Sequence, residues 1–176
     1  MKYKRYKHNP PHIFVDNTYY FLTAATYRKQ KYFNTSERKD FLESTIINYF
    51  NKYQWNIDDY VILENHYHIK AKSRRGEDMP SIFRNIHRET SIYLKNHGIK
   101  KGVKIWWNYW DTIIQNADEY DFYTYYIWLN PTKHGYVTDV SKWKWMKLAN
   151  LGKLEEEKAD KILENKKFLT KICDDY

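Results

Sequence analysis

Two long amphipathic segments separated by short aromatic stretches constrain the fold of this 176-residue chain more than any other feature. The first helix is predicted to begin near Asn34–Ser36 and carries apolar residues at helical spacing as far as Tyr53. The second is predicted over Met79–Asn96, with Gly98 placed to end it. Because each helix has one apolar face, each must pack against another layer of structure.

Aromatic and β-branched runs around these helices predict three strands, over Thr18–Thr26, Ile57–Leu63 and Tyr67–Lys72. Val103–Trp107 and Thr112–Gln115 are predicted to pair as two further strands flanking an aromatic turn. A third helix is predicted from about Asp118 to Leu129, with Pro131 ending it.

The order of these elements, β-α-β-β-α-β-α, predicts an α+β protein of the ferredoxin-like (split βαβ) type. Such a fold has an antiparallel sheet with helices mainly on one face. Because one fold can carry many activities, function has to be argued from particular side chains.

The positive charge is concentrated in residues 1–152, which carry 24 basic and 15 acidic residues within a chain of net charge +8. Residues 1–152 are predicted to form a single domain, and residues 153–176 a charged amphipathic C-terminal helix. The single cysteine, Cys173, excludes an internal disulfide framework and is consistent with a cytoplasmic location. No apolar run has the length of a membrane span, so no membrane partner is expected.

Basic and aromatic residues are interleaved in the middle of the chain, which indicates a polyanionic partner such as nucleic acid. The DNA-binding candidates are Lys72, Arg74, Arg75, Arg84 and Arg88. The aromatic residues Trp106, Trp107, Tyr109 and Trp110 either stack on unpaired bases or belong to the core. For each tryptophan taken alone, core packing is the simpler interpretation.

The sequence His66-Tyr67-His68 lies at the start of the predicted strand Tyr67–Lys72. Side chains two residues apart on a strand point to the same face, so His66 and His68 could bind one metal ion. Two histidines alone form an open site that needs further ligands. The pattern is common, and it equally describes histidines at the surface or at the edge of the core.

Tyr126 and Asn130 are four residues apart on the third predicted helix and therefore share one of its faces. A tyrosine hydroxyl can act as a covalent nucleophile toward phosphorus when a metal or base assists its ionisation. The amide of Asn130 could be a metal ligand or a helix cap. With 18 tyrosines in the chain, packing is the alternative explanation for Tyr126.

Three stretches together resemble the REP-associated tyrosine transposases, a group of the single-tyrosine HUH transposase superfamily. They are VILENHYHIK (Val61–Lys70), KIWWNYWDTII (Lys104–Ile114) and YIWLNPTKHGYV (Tyr126–Val137). The third, with its Tyr-Ile-x-x-Asn-Pro core, is the most specific, and the similarity spans roughly residues 10 to 148. Where the family commonly has Met-Pro before Asn-His, this chain has Leu63-Glu64, and Tyr67 is larger than the usual aliphatic residue.

The resemblance implies that His66, His68 and Asn130 bind a divalent cation, Mg²⁺ or Mn²⁺, and that Tyr126 is the nucleophile. The implied activity is cleavage and rejoining of hairpin-forming single-stranded DNA through a 5′-phosphotyrosine link, as in DNA transposition. The family pattern leaves open whether the chain acts as a monomer or a homodimer. The alternative is a non-catalytic protein that binds hairpin or single-stranded nucleic acid on the same fold. The Tyr-Ile-x-x-Asn-Pro context argues against a replication initiator or a relaxase.

Overall fold

A computed structural model of the chain describes residues 12–149 and Ala159. The strands within residues 12–149 are β1 (Tyr19–Thr26), β2 (Asn56–Ile62), β3 (His66–Lys72), β4 (Trp106–Ile113) and β5 (Met146–Lys147). The long helices of the same region are α1 (Ser36–Lys52), α2 (Met79–Asn96) and α3 (Ala117–Lys133). The predicted C-terminal helix over residues 153–176 lies outside the described residues, except for Ala159. Between residues 12 and 149, no helix combines the length and the apolar character needed to cross a membrane.

The strands form an antiparallel sheet in the order β4-β1-β3-β2-β5. The first four strands and the helices α1 and α2 have the split βαβ connectivity that the element order predicts, so the fold class is confirmed. The central strands β1 and β3 are paired along their whole length, from Tyr19 opposite Lys72 to Ala25 opposite His66. This register decides which side chains of β1 lie beside the two histidines of β3.

Helices cover both faces of the sheet, and each face has its own core. On one face, α1 and α2 bury side chains such as Leu42 and Ile86 against Leu22 and Tyr67. On the other face, α3 packs on Phe21 and the neighbouring residues of β1 and β2. Two of the three long helices therefore share a face, while α3 alone covers the face that carries His66 and His68.

Strand β4 is continuous, so the prediction of two short strands around an aromatic turn was wrong. The residues assigned to the turn pair with β1, with Tyr109 opposite Ala24 and Asp111 opposite Leu22. Asn and Asp favour turns locally, but the hydrogen bonds to β1 and the burial of Tyr109 outweigh that local preference.

Helix α3 continues past Pro131 to Lys133, so its predicted end at Leu129 was also wrong. Proline lacks an N–H and removes one hydrogen bond from a helix, but near the C-terminus the remaining bonds persist. The backbone N–H of His134 still donates to the carbonyl of Asn130 at 3.1 Å. The extra turn keeps Asn130 inside the helix instead of at its cap.

A buried ion pair connects the sheet to α3. The amine of Lys70 lies 2.6 Å from Asp59 Oδ2, and both side chains are 1% exposed. The Thr124 hydroxyl on α3 donates to the same carboxylate oxygen at 2.9 Å and also contacts the Lys70 amine. Burial lowers the pKa of the Lys70 amine, and the Asp59 carboxylate opposes that shift. Lys70 is therefore committed to the interior and cannot contact DNA at the surface.

Gly76 occupies a position where the chain before β1 crosses the loop after β3. A Cβ atom here would lie 2.4 Å from the backbone nitrogen of Val15 and 2.8 Å from the carbonyl carbon of Phe14. We expect Gly76→Ala to lower the free energy of unfolding by about 1–3 kcal/mol, because backbone atoms must move apart. Urea unfolding followed by circular dichroism measures this loss.

Gly102→Ala is the comparison for Gly76→Ala, because a Cβ on Gly102 meets no atom within 4 Å. Its φ of +86° means that alanine costs only the backbone strain, about 1 kcal/mol. If Gly76→Ala lowered the free energy of unfolding no more than Gly102→Ala does, the close backbone approach at Gly76 would not restrict this position to glycine.

Candidate active site

The two histidines of β3 lie together on the face covered by α3. Their ring centroids are 5.1 Å apart, with the planes at 75°. His68 is fully buried, whereas His66 at the start of the strand is partly exposed. The period of two along the strand therefore brings both imidazoles to one side, as the sequence predicted.

Neighbouring polar side chains orient both rings. The amide oxygen of Asn65 lies 2.7 Å from His66 Nδ1, and an amide oxygen can only accept a hydrogen bond. His66 therefore carries its proton on Nδ1, which leaves the lone pair of Nε2 for another partner. His68 Nδ1 lies 2.8 Å from the hydroxyl of Thr23 on β1, and this hydrogen bond orients the His68 ring.

Both histidines are neutral at physiological pH. Burial, with help from the nearby His134 ring, lowers the pKa of His66 to about 3. Burial also holds the pKa of His68 well below its ordinary value, and the adjacent His66 and Lys133 act in the same direction. The neutral imidazole is the form that binds metal ions.

Helix α3 brings Tyr126 and Asn130 to this pair of histidines. The Tyr126 ring lies edge-on to His68 with the centroids 5.3 Å apart, and the residue is 3% exposed. Asn130, one turn later, is fully buried. Its amide lies close enough to His66 to oppose the fall in that pKa. The structure thus brings together the four residues predicted to form the site.

Several buried polar atoms of this group have no hydrogen-bond partner within the described chain. They are His66 Nε2 and both amide atoms of Asn130, which lie near one another but not in the geometry of an ordinary hydrogen bond. Leaving such atoms unpaired costs free energy, so a ligand is expected to satisfy them. Two neutral imidazoles with an amide oxygen suit a divalent cation and leave coordination positions for other oxygen atoms. Within residues 12–149, no cluster of three or more His, Cys, Asp or Glu offers a competing metal site.

Lys133 contacts the hydroxyl of Tyr126. Its amine lies 3.1 Å from that oxygen and 4.6 Å from the centre of the ring. An ammonium group at this position donates to the hydroxyl and favours negative charge on its oxygen. Lys133 was missed in the sequence because it lies two helical turns after Tyr126, beyond the predicted helix end at Leu129.

A cavity of about 260 Å³ opens beside His66. The wall of this cavity includes His134, Lys29 and Lys31. The ring centroid of His134 lies 5.0 Å from that of His66, and the two lysines belong to the turn after β1. Lys31 also forms an ion pair with Glu64 at 3.0 Å. The basic side chains of Lys29 and Lys31 beside His66 make this cavity suitable for a phosphate group.

The five predicted DNA-binding residues lie elsewhere. All are exposed and none lines the cavity. Lys72 ends β3, about 20 Å along the strand from His66. Arg74 and Arg75 follow it in the loop. Arg84 and Arg88 lie on α2, which packs on the opposite face of the sheet. Their contact with DNA stays a prediction.

A family model described as "Transposase IS200 like" matches residues 14–127, more than half of the chain, including His66, His68 and Tyr126. The chain belongs to the IS200-like transposase family. Membership makes it a DNA-processing enzyme of the transposase type, and the resemblance seen in the sequence motifs is confirmed.

Two relatives of this IS200-like transposase are REP-associated tyrosine transposases. One, from Escherichia coli (strain K12), is 28% identical over 129 residues, which cover 72% of this chain and 73% of that protein. The other is a solved structure of a REP-associated tyrosine transposase bound to a REP hairpin. It superimposes with a TM-score of 0.64 at 26% identity, covering 83% of this chain and 81% of that one.

Proposed function

We propose that this chain cleaves and rejoins hairpin-forming single-stranded DNA, with Tyr126 as the covalent nucleophile. The observation that carries the proposal is the contact between Tyr126 and His68, whose ring centroids are 5.3 Å apart. Tyr126 and Asn130 of α3 lie beside the two histidines of β3, and His66 also lines the basic cavity. The solved relative bound to a REP hairpin supports hairpin DNA as the substrate class.

Tyr126 reacts through its hydroxyl oxygen. That oxygen bonds to phosphorus while the bond from phosphorus to the 3′-oxygen breaks, which leaves a 5′-phosphotyrosine link. The phenol loses its proton and the departing 3′-oxygen gains one. Lys133 Nζ, 3.1 Å from the phenol oxygen, stabilises the charge that develops there. A 3′-hydroxyl can reverse the reaction without an external energy source, because the phosphodiester energy is kept in the tyrosine link.

His66, His68 and Asn130 would hold a divalent cation, Mg²⁺ or Mn²⁺. When bound, the cation supplies polarisation of the scissile phosphate and compensates the additional charge of the transition state. Asn65 and Thr23 keep the two imidazoles oriented through their Nδ1 atoms. A free single strand is the expected substrate, because a strand held within a duplex does not readily enter an active site of this kind.

The experiment that tests the proposal uses the full chain with Mn²⁺ and a labelled library of DNA stem-loops carrying single-stranded flanks. We expect a protein–DNA adduct that survives denaturation, and its loss when EDTA is added. A chain that binds the library tightly but never forms an adduct would instead be the non-catalytic nucleic-acid-binding protein.

The amide of Asn130 can be tested by metal binding alone, without DNA. We expect Asn130→Ala to weaken Mn²⁺ binding at least about tenfold in isothermal titration calorimetry, because one protein ligand is lost. Asn130→Asp should bind Mn²⁺ as tightly as wild type or more tightly, since a carboxylate oxygen replaces the amide oxygen with added charge. Unchanged affinity in Asn130→Ala would remove Asn130 from the ligand set.

A further inference from the structure

Trp107 differs from the other aromatic residues of its segment. The side chains of Trp106, Tyr109 and Trp110 are 6%, 9% and 7% exposed, so the core interpretation is correct for them. Trp107 is 45% exposed. Single exposed apolar side chains are common on protein surfaces, so the neighbours of Trp107 decide whether its ring has a binding role.

A β-bulge presents Trp107 at the surface. In the pairing of β4 with β1, Asn108 lies opposite Ala25 and Trp106 lies opposite Thr26, so Trp107 is the extra residue between them. Bulges of this kind redirect a side chain at the edge of a sheet and occur next to functional sites. The local backbone geometry of this bulge thus exposes Trp107, whereas its neighbour Trp106 is buried.

Basic groups and a second aromatic ring surround Trp107. The Tyr27 ring lies 5.4 Å away between centroids. The Lys104 amine lies 4.3 Å from the centre of Trp107 and 5.0 Å from that of Tyr27. The Arg28 guanidinium lies 5.3 Å from the centre of Tyr27. Aromatic rings at the surface can stack on unpaired bases, and neighbouring cations can bind the phosphates of the same strand. The exposed Trp107 ring and the partly exposed Tyr27 ring, with Lys104 and Arg28 beside them, have this combination.

The turn after β1 connects this cluster to the cavity of the active site. Tyr27 and Arg28 belong to the cluster, and Lys29, the next residue, lines the cavity beside His66. Arg28 and Lys29 both have left-handed backbone conformations, with φ of 55° and 53°. Non-glycine residues adopt this region at an energetic cost, and such strain concentrates at functional sites.

We propose that Tyr27 and Trp107, with Arg28 and Lys104, form a stacking platform for unpaired nucleotides that flank the strand in the active-site cavity. This inference rests on the proposed function, because it names a subsite for the same single-stranded DNA. The platform binds through ring faces and phosphates, so it tolerates any base sequence. None of the five predicted DNA-binding residues belongs to this platform.

Fluorescence anisotropy with a labelled oligothymidylate of about 12 nucleotides, a length within the range of single-strand binding sites, tests the platform directly. We expect Trp107→Ala to raise the Kd about tenfold, the size of one lost base stack, and Trp107→Phe to retain most of the affinity. Ile92→Ala is the matched control, since Ile92 is a large apolar residue on α2 that is 54% exposed. Its Kd should equal that of wild type.

Lys104→Gln provides a second variant that leaves the aromatic rings in place. It should reduce the slope of log Kd against log salt concentration by about 0.7, as expected for one lost phosphate contact on a single strand. The platform is overturned if Trp107→Ala binds oligothymidylate like wild type, or if Ile92→Ala loses as much affinity. Adduct formation by wild type is scored separately, so a failure of catalysis with intact Trp107-dependent binding would refute the proposed function alone.

Discussion

Tyr126→Phe should abolish the covalent protein–DNA adduct, with a loss of about 10⁴-fold or more in the rate of its formation. Removal of the attacking atom from an enzyme with a covalent intermediate has effects of this size. The variant should stay folded, because phenylalanine retains the packing of the ring against Phe21 and His68. Among the described residues, the substitution removes the contact of the hydroxyl with Lys133, at a cost of about 1 kcal/mol.

Tyr123→Phe is the matched control for Tyr126→Phe. Tyr123 lies in the same helix and the same core cluster, with its ring centroid 4.2 Å from that of Phe21. The substitution is chemically identical, and the adduct should form at the wild-type rate. Gel electrophoresis under denaturing conditions with end-labelled DNA measures both variants. An adduct that persists in Tyr126→Phe would show that a different residue attacks phosphorus.

Asp59→Ala should lower the free energy of unfolding by about 3–5 kcal/mol. The substitution leaves the Lys70 amine buried without the carboxylate 2.6 Å away, and an uncompensated buried charge is strongly destabilising. It also removes the acceptor for the Thr124 hydroxyl of α3 and for the backbone N–H of Ala149. Because small proteins are stable by only about 5–15 kcal/mol, a large share of the stability would be lost.

Two comparisons separate this ion pair from ordinary surface charges. Lys144→Ala removes an exposed pair with Asp40 and should cost less than about 1 kcal/mol. The double variant Asp59→Leu with Lys70→Met removes both charges together and should recover most of the stability lost in Asp59→Ala. Guanidinium unfolding of wild type, the two single variants and the double variant measures their free energies of unfolding. Equal free energies for Asp59→Ala and Lys144→Ala would contradict the prediction.

Sequence patterns correctly predicted the elements in which apolar residues recur at a regular spacing along the chain. Helices α1 and α2 carry apolar residues over four turns or more, and the split βαβ order follows from their placement. Strand β4 was misread because Asn108 and Asp111 favour turns, whereas pairing with β1 decides its conformation. Such pairing is a long-range interaction that a local pattern does not contain.

The same distinction applies to the candidate site. His66 and His68 follow the period of a strand, and Tyr126 and Asn130 follow that of a helix, so spacing alone placed each pair on one face. Lys133 lies two turns beyond Tyr126, and the sequence does not indicate it because Pro131 predicts an earlier end of the helix. Lys29 and Trp107 depend on a left-handed turn and a bulge, which only the assembled sheet reveals.

Tyr126 and Asn130 both belong to α3, whereas His66 and His68 both belong to β3. If α3 shifts relative to β3, the nucleophile and the proposed metal ligand leave the two histidines at the same moment. Under the proposed function, a shift of the α3 backbone would therefore change the distances of Tyr126 and Asn130 to the histidines together, which couples the position of the nucleophile to that of the metal ligand.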